Sequence, residues 1–83
     1  MTWQQFAEKY LSDNGMFEDG AKAVVALAIE HKLFAAMKGR WNDNISGYPE
    51  VMKTAFLLSL RAVAVEWIES NKPAAWYKAC FQD

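Results

Sequence analysis

One cysteine, one histidine and two prolines are all that the 83 residues hold of those types. A single cysteine, Cys80, excludes an internal disulfide, and a reducing compartment is the simpler setting. One histidine and one cysteine cannot furnish the roughly four ligands of a zinc site. His31 and Cys80 fall on different expected elements with no acidic orienter implied for them, so no Cys–His nucleophile is supported. No glycine-rich phosphate loop is present. Acidic pairs such as Glu18-Asp19 read as helix-start charges. The expectation is therefore a protein without catalytic chemistry, metal or cofactor.

Charge of one sign is also missing. A net charge of −1 offers no basic field to hold nucleic acid and no dense acidic surface to imitate it. No apolar run reaches the ~20 residues of a membrane span. The longest candidate carries Lys53, Arg61 and Glu66. The opening stretch MTWQQFAEKY has neither the basic nor the apolar region of a signal peptide. The chain reads as soluble and cytoplasmic.

What is present is hydrocarbon. Hydrophobic residues make up 53% of the chain, which is rich for so small a body, because small domains bury a smaller share of their surface. The chain is one domain, residues 1–83. It is expected to be all-α: a small bundle of four to five helices around a long helix at about residues 49–71. No segment alternates with period two between turn signals, which argues against strands.

Thr2 and Gln5 form a T-x-x-Q capping box, and behind it Trp3, Phe6, Ala7, Tyr10 and Leu11 make one apolar stripe. This first helix ends at SDNG, where Gly15 suits a left-handed cap. AKAVVALAIEH reads as a second helix, apolar nearly all the way round and so largely buried. KLFAAMKGRW follows either as a continuation of that helix after a kink or, the favoured reading, as a short separate helix, and Gly39 stops it. RWNDNISGY is the clear loop. Pro49 then opens the long helix at its first position, and no glycine or proline interrupts it before Lys72-Pro73. PAAWYKACF makes a last short helix.

At about 100° per residue, the long helix has two apolar flanks. Val51, Ala55, Leu58, Ala62 and Val65 form one; Phe56, Leu60, Ala64 and Trp67 form the other. Such a helix needs neighbours on both sides. Helices one and two can cover one flank, and the last helix part of the other. Arg61 sits among this hydrocarbon with no acid at i±3 or i±4. It must reach water, meet a partner, or pair with Glu8, Asp13, Glu18 or Asp19.

Two further constellations stand out. Lys38, Arg40, Trp41, Asn42, Asp43, Asn44 and Tyr48 gather aromatic and polar groups around the loop, and Trp76, Tyr77 and Lys78 make a second cluster. Trp, Tyr and Arg are preferred interface anchors, so these residues, with Arg61 and Trp67, are the candidate binding residues. The bland alternative is that the rings close the ends of the bundle. Asn42, Asn44, Ser46 and Gly47 also imitate part of a calcium loop, but Lys53 stands where the bidentate Glu belongs, so an ordinary Asx turn is expected.

The favoured expectation is a non-enzymatic interaction protein that self-associates, a dimer first, or docks on a larger protein. Its size and texture are those of phage- or prophage-encoded accessory proteins, including inhibitors of host defence systems. A small-ligand or nucleotide binder using Lys38, Arg40, Trp41 and Arg61 is the alternative. A helix-turn-helix regulator is the third, weakened because KLFAAMKGR offers few base-reading side chains.

Overall fold

The computed structural model describes residues 1–34, 37 and 39–81. Among them the chain is all-α, with four helices: α1 (Trp3–Asp13), α2 (Glu18–Glu30), α3 (Glu50–Asn71) and α4 (Ala74–Cys80). Two short 3₁₀ turns, Arg40–Asn42 and Ile45–Gly47, lie in the connection before α3.

The capping box forms as read. The Thr2 hydroxyl accepts from the Gln5 N–H at 3.2 Å, and Gln5 Oε1 accepts from the Thr2 N–H at 2.9 Å. Trp3, Ala7 and Leu11 are buried, with Phe6 and Tyr10 packed beside them. Gly15 takes φ 105°, a conformation that favours glycine, and turns the chain toward α2.

α2 starts with Glu18 and Asp19 in its first turn, where acids suit the positive end of the helix. Gly20, Ala21, Val24, Val25 and Ala28 are buried. α2 is largely buried, as read; Lys22, Ala26 and Glu30 are exposed, and Leu27 and Ile29 half-buried. A chain of this size has too few elements to surround a helix. α2 stops at His31, and Lys32 at φ +51° bends the chain away from the helix axis. The short helix expected over KLFAAMKGRW lies partly outside the described residues; residues 31–34 are a turn and irregular chain.

The loop ties back to the N-terminus. The Trp3 N–H donates to the Asp43 carbonyl at 3.1 Å, and the Ile45 N–H to the Met1 carbonyl at 3.1 Å. The Asn44 side chain accepts from the Ser46 N–H at 3.0 Å, the Asx turn expected of this sequence. Pro49 and Pro73 each stand one residue earlier than expected, as the extended N-cap residues of α3 and α4.

α3 has 22 residues. At 1.5 Å per residue its length is about 33 Å, close to the 38 Å longest dimension of the molecule. Its inner face is Lys53, Leu57, Leu60, Ala64 and Ile68, spaced by fours and threes. Near its first half, Phe56 meets Trp3, Phe34 and Trp41 edge-on at ring distances of 4.9, 5.1 and 5.6 Å. This aromatic hub joins α1, the loop and α3.

At the other side, the chain after α4 crosses the start of α2. The Phe17 N–H donates to the Cys80 carbonyl at 2.9 Å, and Met16 and Phe81 form an isolated antiparallel bridge. Met16, Cys80 and Phe81 are all buried.

Candidate interaction surface on the long helix

The inner face of α3 decides by geometry what its outer face shows. Of the two apolar flanks, the one with Phe56, Leu60, Ala64 and Trp67 turns inward; Leu60 and Ala64 are buried, and Phe56 and Trp67 pack on the core. The other flank stays uncovered from Val51 to Ala62, while its last member, Val65, is half-buried against the core. Val51 is 82% exposed, Leu58 62% and Met52 50%. Ala55, Ala62 and Val63 are exposed between and beside them. Thr54 and Ser59 are the exposed polar residues over this stretch, and charge returns on the same side only at Glu66 and Glu69. The result is a contiguous aliphatic stripe about three helical turns long.

A groove adjoins the stripe. It holds about 300 Å³ and is lined by Trp3, Phe34, Met37, Arg40, Tyr48, Met52, Ala55, Phe56 and Ser59. Arg40 is its one charged lining residue. Met52, Ala55 and Ser59 belong to both groove and stripe, so the two surfaces are continuous. Trp3 is 2% exposed, and its indole N–H has no hydrogen-bond acceptor among the described residues.

The residues singled out from the sequence are dispersed by the fold. Lys38 lies outside the described residues. Arg40 and Tyr48 come together on the groove. Trp41 is buried against Phe56, and Asn42 and Asp43 are exposed. Asp43 accepts from the Tyr48 hydroxyl at 3.2 Å. Trp67 is half-buried beside His31, at a ring distance of 4.5 Å. Trp76 is half-buried with the Lys72 ammonium 5.8 Å from its ring. Tyr77 stacks on Phe81 at 4.1 Å. These aromatic rings are buried or half-buried, and the exposed apolar surface of α3 is aliphatic.

Arg61 finds an unforeseen neighbour. Its guanidinium lies 5.6 Å from the centroid of the Phe81 ring, which is in turn stacked on Tyr77. Among the described residues it forms no ion pair: Asp13 pairs with Lys9 at 2.9 Å and Glu18 with Lys22 at 3.6 Å. Lys53 is the more buried cation, with its Nζ 3.0 Å from the exposed Glu50 carboxylate. Burial pushes the Cys80 thiol pKa up from its ordinary value.

Met52 and Val63 were absent from the sequence reading, and Val51 and Leu58 appeared only as parts of a flank. The four-three-four spacing of Val51, Ala55, Leu58 and Ala62 marked that flank but not its exposure. No helix among the described residues is long and apolar enough to cross a membrane. Comparison of the chain with protein-family models, with curated proteins and with solved structures finds no match.

Proposed function

We propose that this chain is a protein-interaction module whose working surface is the outer face of α3 and the groove beside it. One observation carries the reading: Val51, Met52, Leu58 and Val63 are exposed in a single contiguous stripe without a charge among them. Scattered apolar residues on a surface need no explanation, but a contiguous patch marks a contact site. The accessory-protein texture of the sequence belongs to this proposal, with docking on a larger protein as one form of it.

The test pairs the wild-type chain with Leu58→Glu. Both are used to capture partners from the native host, and self-association is measured by light scattering. The expected result is an association, with itself or with another protein, that the variant loses. A partner held equally well by Leu58→Glu would overturn the reading. Circular dichroism should show the variant folded, because Leu58 is 62% exposed.

The groove supports a second reading, a small-ligand site. Its volume of about 300 Å³ is at the lower end of the range for ligand pockets. The unpaired indole N–H of Trp3, a lining residue, is a donor in want of an acceptor. A thermal-shift screen of nucleotides and aromatic carboxylates would raise the melting temperature if the site is real, and Arg40→Ala would abolish the rise.

A further inference from the structure

Resting on the interaction reading above, we propose that the outer face of α3 meets a second copy of this chain in an antiparallel, two-fold pairing. The register sets Val51 against the partner's Ala62 and Ala55 against the partner's Leu58.

The spacing of the stripe carries the argument. Val51, Ala55, Leu58 and Ala62 are separated by four, three and four residues, the same sequence of steps in either direction. A two-fold axis between Phe56 and Leu57 therefore maps the stripe onto itself, as an isologous interface requires. Size follows the same symmetry. Each large side chain, Val51 or Leu58, meets an alanine of the other copy, so knobs have space to enter and the layers interdigitate. A parallel, in-register pairing would instead oppose Leu58 to the partner's Leu58 and Ala55 to the partner's Ala55. Its layers would alternate between overfull and hollow.

Charge selects the same orientation. Glu66 and Glu69 are exposed on this face at the C-terminal end of α3. A parallel pairing would set them against the partner's Glu66 and Glu69. The antiparallel register carries Glu66 level with the partner's Gly47, just before its α3 begins, and Glu69 farther out. That end has Pro49 as its N-cap and no side-chain cap; the Met52 and Lys53 N–H groups donate to the Pro49 carbonyl, which leaves those of Glu50 and Val51 for an acid. Glu50, the acid already in that turn, is neutralised by Lys53 at 3.0 Å.

Area completes the case. A stable interface buries about 800 Å² per partner, more than three turns of one helix supply. The groove, continuous with the stripe through Met52, Ala55 and Ser59, adds to the contact. In this register the partner's Met52 is level with Arg61, about 3 Å along the axis from Ser59 at the groove's edge.

Single-cysteine cross-linking reads the register directly. Val51→Cys and Ala62→Cys are made separately in a Cys80→Ala background, which keeps the Cβ and backbone that Gly20 abuts. The expected result is a disulfide-linked dimer when the two proteins are mixed and oxidised, and none from either alone. Two copies of position 51 lie eleven residues apart along the pair, about 16 Å, well beyond disulfide reach. Cross-linking of Val51→Cys with itself would show a parallel pair and overturn the proposal. A dimer in light scattering that yields no mixed cross-link would overturn it too, by placing the contact elsewhere. A strict monomer also overturns it. If that monomer still captures another protein in a manner abolished by Leu58→Glu, the interaction reading stands and only the second copy is lost.

Discussion

Gly20→Ala should destabilise this protein, against the ordinary effect of that change in a helix. Gly20 is the third residue of α2. On an open helical surface, alanine is favoured over glycine by about 1 kcal/mol. Here a Cβ on Gly20 would lie 2.6 Å from the Cys80 carbonyl oxygen, 2.7 Å from Cys80 Cα and 2.9 Å from its Cβ. These are backbone atoms and the root of a side chain, so no rotamer change relieves the clash. The chain after α4 must move away from α2. Overpacking of this kind costs about 1–3 kcal/mol, and the rigid obstacle argues for the upper half of that range. The movement also strains the 2.9 Å bond from the Phe17 N–H to the Cys80 carbonyl, at about 1 kcal/mol. After the propensity gain, the net loss is about 2–3 kcal/mol. Urea unfolding followed by tryptophan fluorescence measures it. With m near ~1 kcal/mol/M for a small domain, the midpoint should fall by about 2 M or more. Gly47→Ala is the control, because its Cβ would have no atom within 4 Å. If Gly20→Ala raises the midpoint, the close approach of α2 to Cys80 is wrong.

Three other measurements probe the packing. Leu60 is fully buried and Leu58 is 62% exposed. Leu60→Ala should cost about 2–5 kcal/mol, while Leu58→Ala at concentrations below self-association should change stability by less than about 0.5 kcal/mol; equal costs would refute the assignment of faces on α3. Arg61→Ala should cost about 1 kcal/mol or less, the worth of a partly exposed cation over the Phe81 ring, and a loss of several kcal/mol would reveal a buried acid instead. Cys80 should alkylate slowly in the folded protein at pH 8 and rapidly in urea. Because its folded pKa lies above the unfolded value, its contribution is full below pH 9.0 and is lost as pH rises through the folded pKa. Wild type should therefore lose more stability than Cys80→Ala in that alkaline window, and identical pH profiles would refute it.

Local signals made parts of this fold legible in the sequence. The α1 helix was readable from Thr2 to Gly15 because its cap, stripe and stop are all short-range. The length of α3 was readable because nothing between Pro49 and Lys72 breaks a helix. Its two flanks were readable from periodicity as well. Which flank would be covered was not, since that depends on where α1, the loop and α4 pack, and periodicity contains no such information. The same reason hid the neighbour of Arg61: Glu8, Asp13, Glu18 and Asp19 were sensible electrostatic partners, but the guanidinium rests over Phe81, twenty residues away. Gly20 gave no signal either, because its meaning lies in Cys80 at the far end of the chain. The aromatic residues were found, with both the anchor reading and the lid reading left open for them. Trp41 is enclosed, with its ring against Phe56, and a composition rich in tryptophan cannot distinguish an anchor from a lid.

The helices of this chain offer an internal comparison that bears on why α3 is apolar outside. The solvated face of α1 carries Gln5, Lys9 and Asp13, and that of α2 carries Lys22 and Glu30. Both follow the ordinary amphipathic rule. α3 follows it from Glu66 onward, where Glu66, Glu69, Ser70 and Asn71 face water. Only between Val51 and Val63 is the rule broken. Folding does not require the breach, since Lys53, Leu57, Leu60, Ala64 and Ile68 already supply the inner face. Nor does helix propensity, because glutamate, lysine and glutamine would serve an exposed position better than valine. Exposed hydrocarbon there adds nothing to the monomer and lowers its solubility. The exposed hydrocarbon of residues 51–63 is thus unexplained by folding, and the proposed contact with another protein surface rests on it.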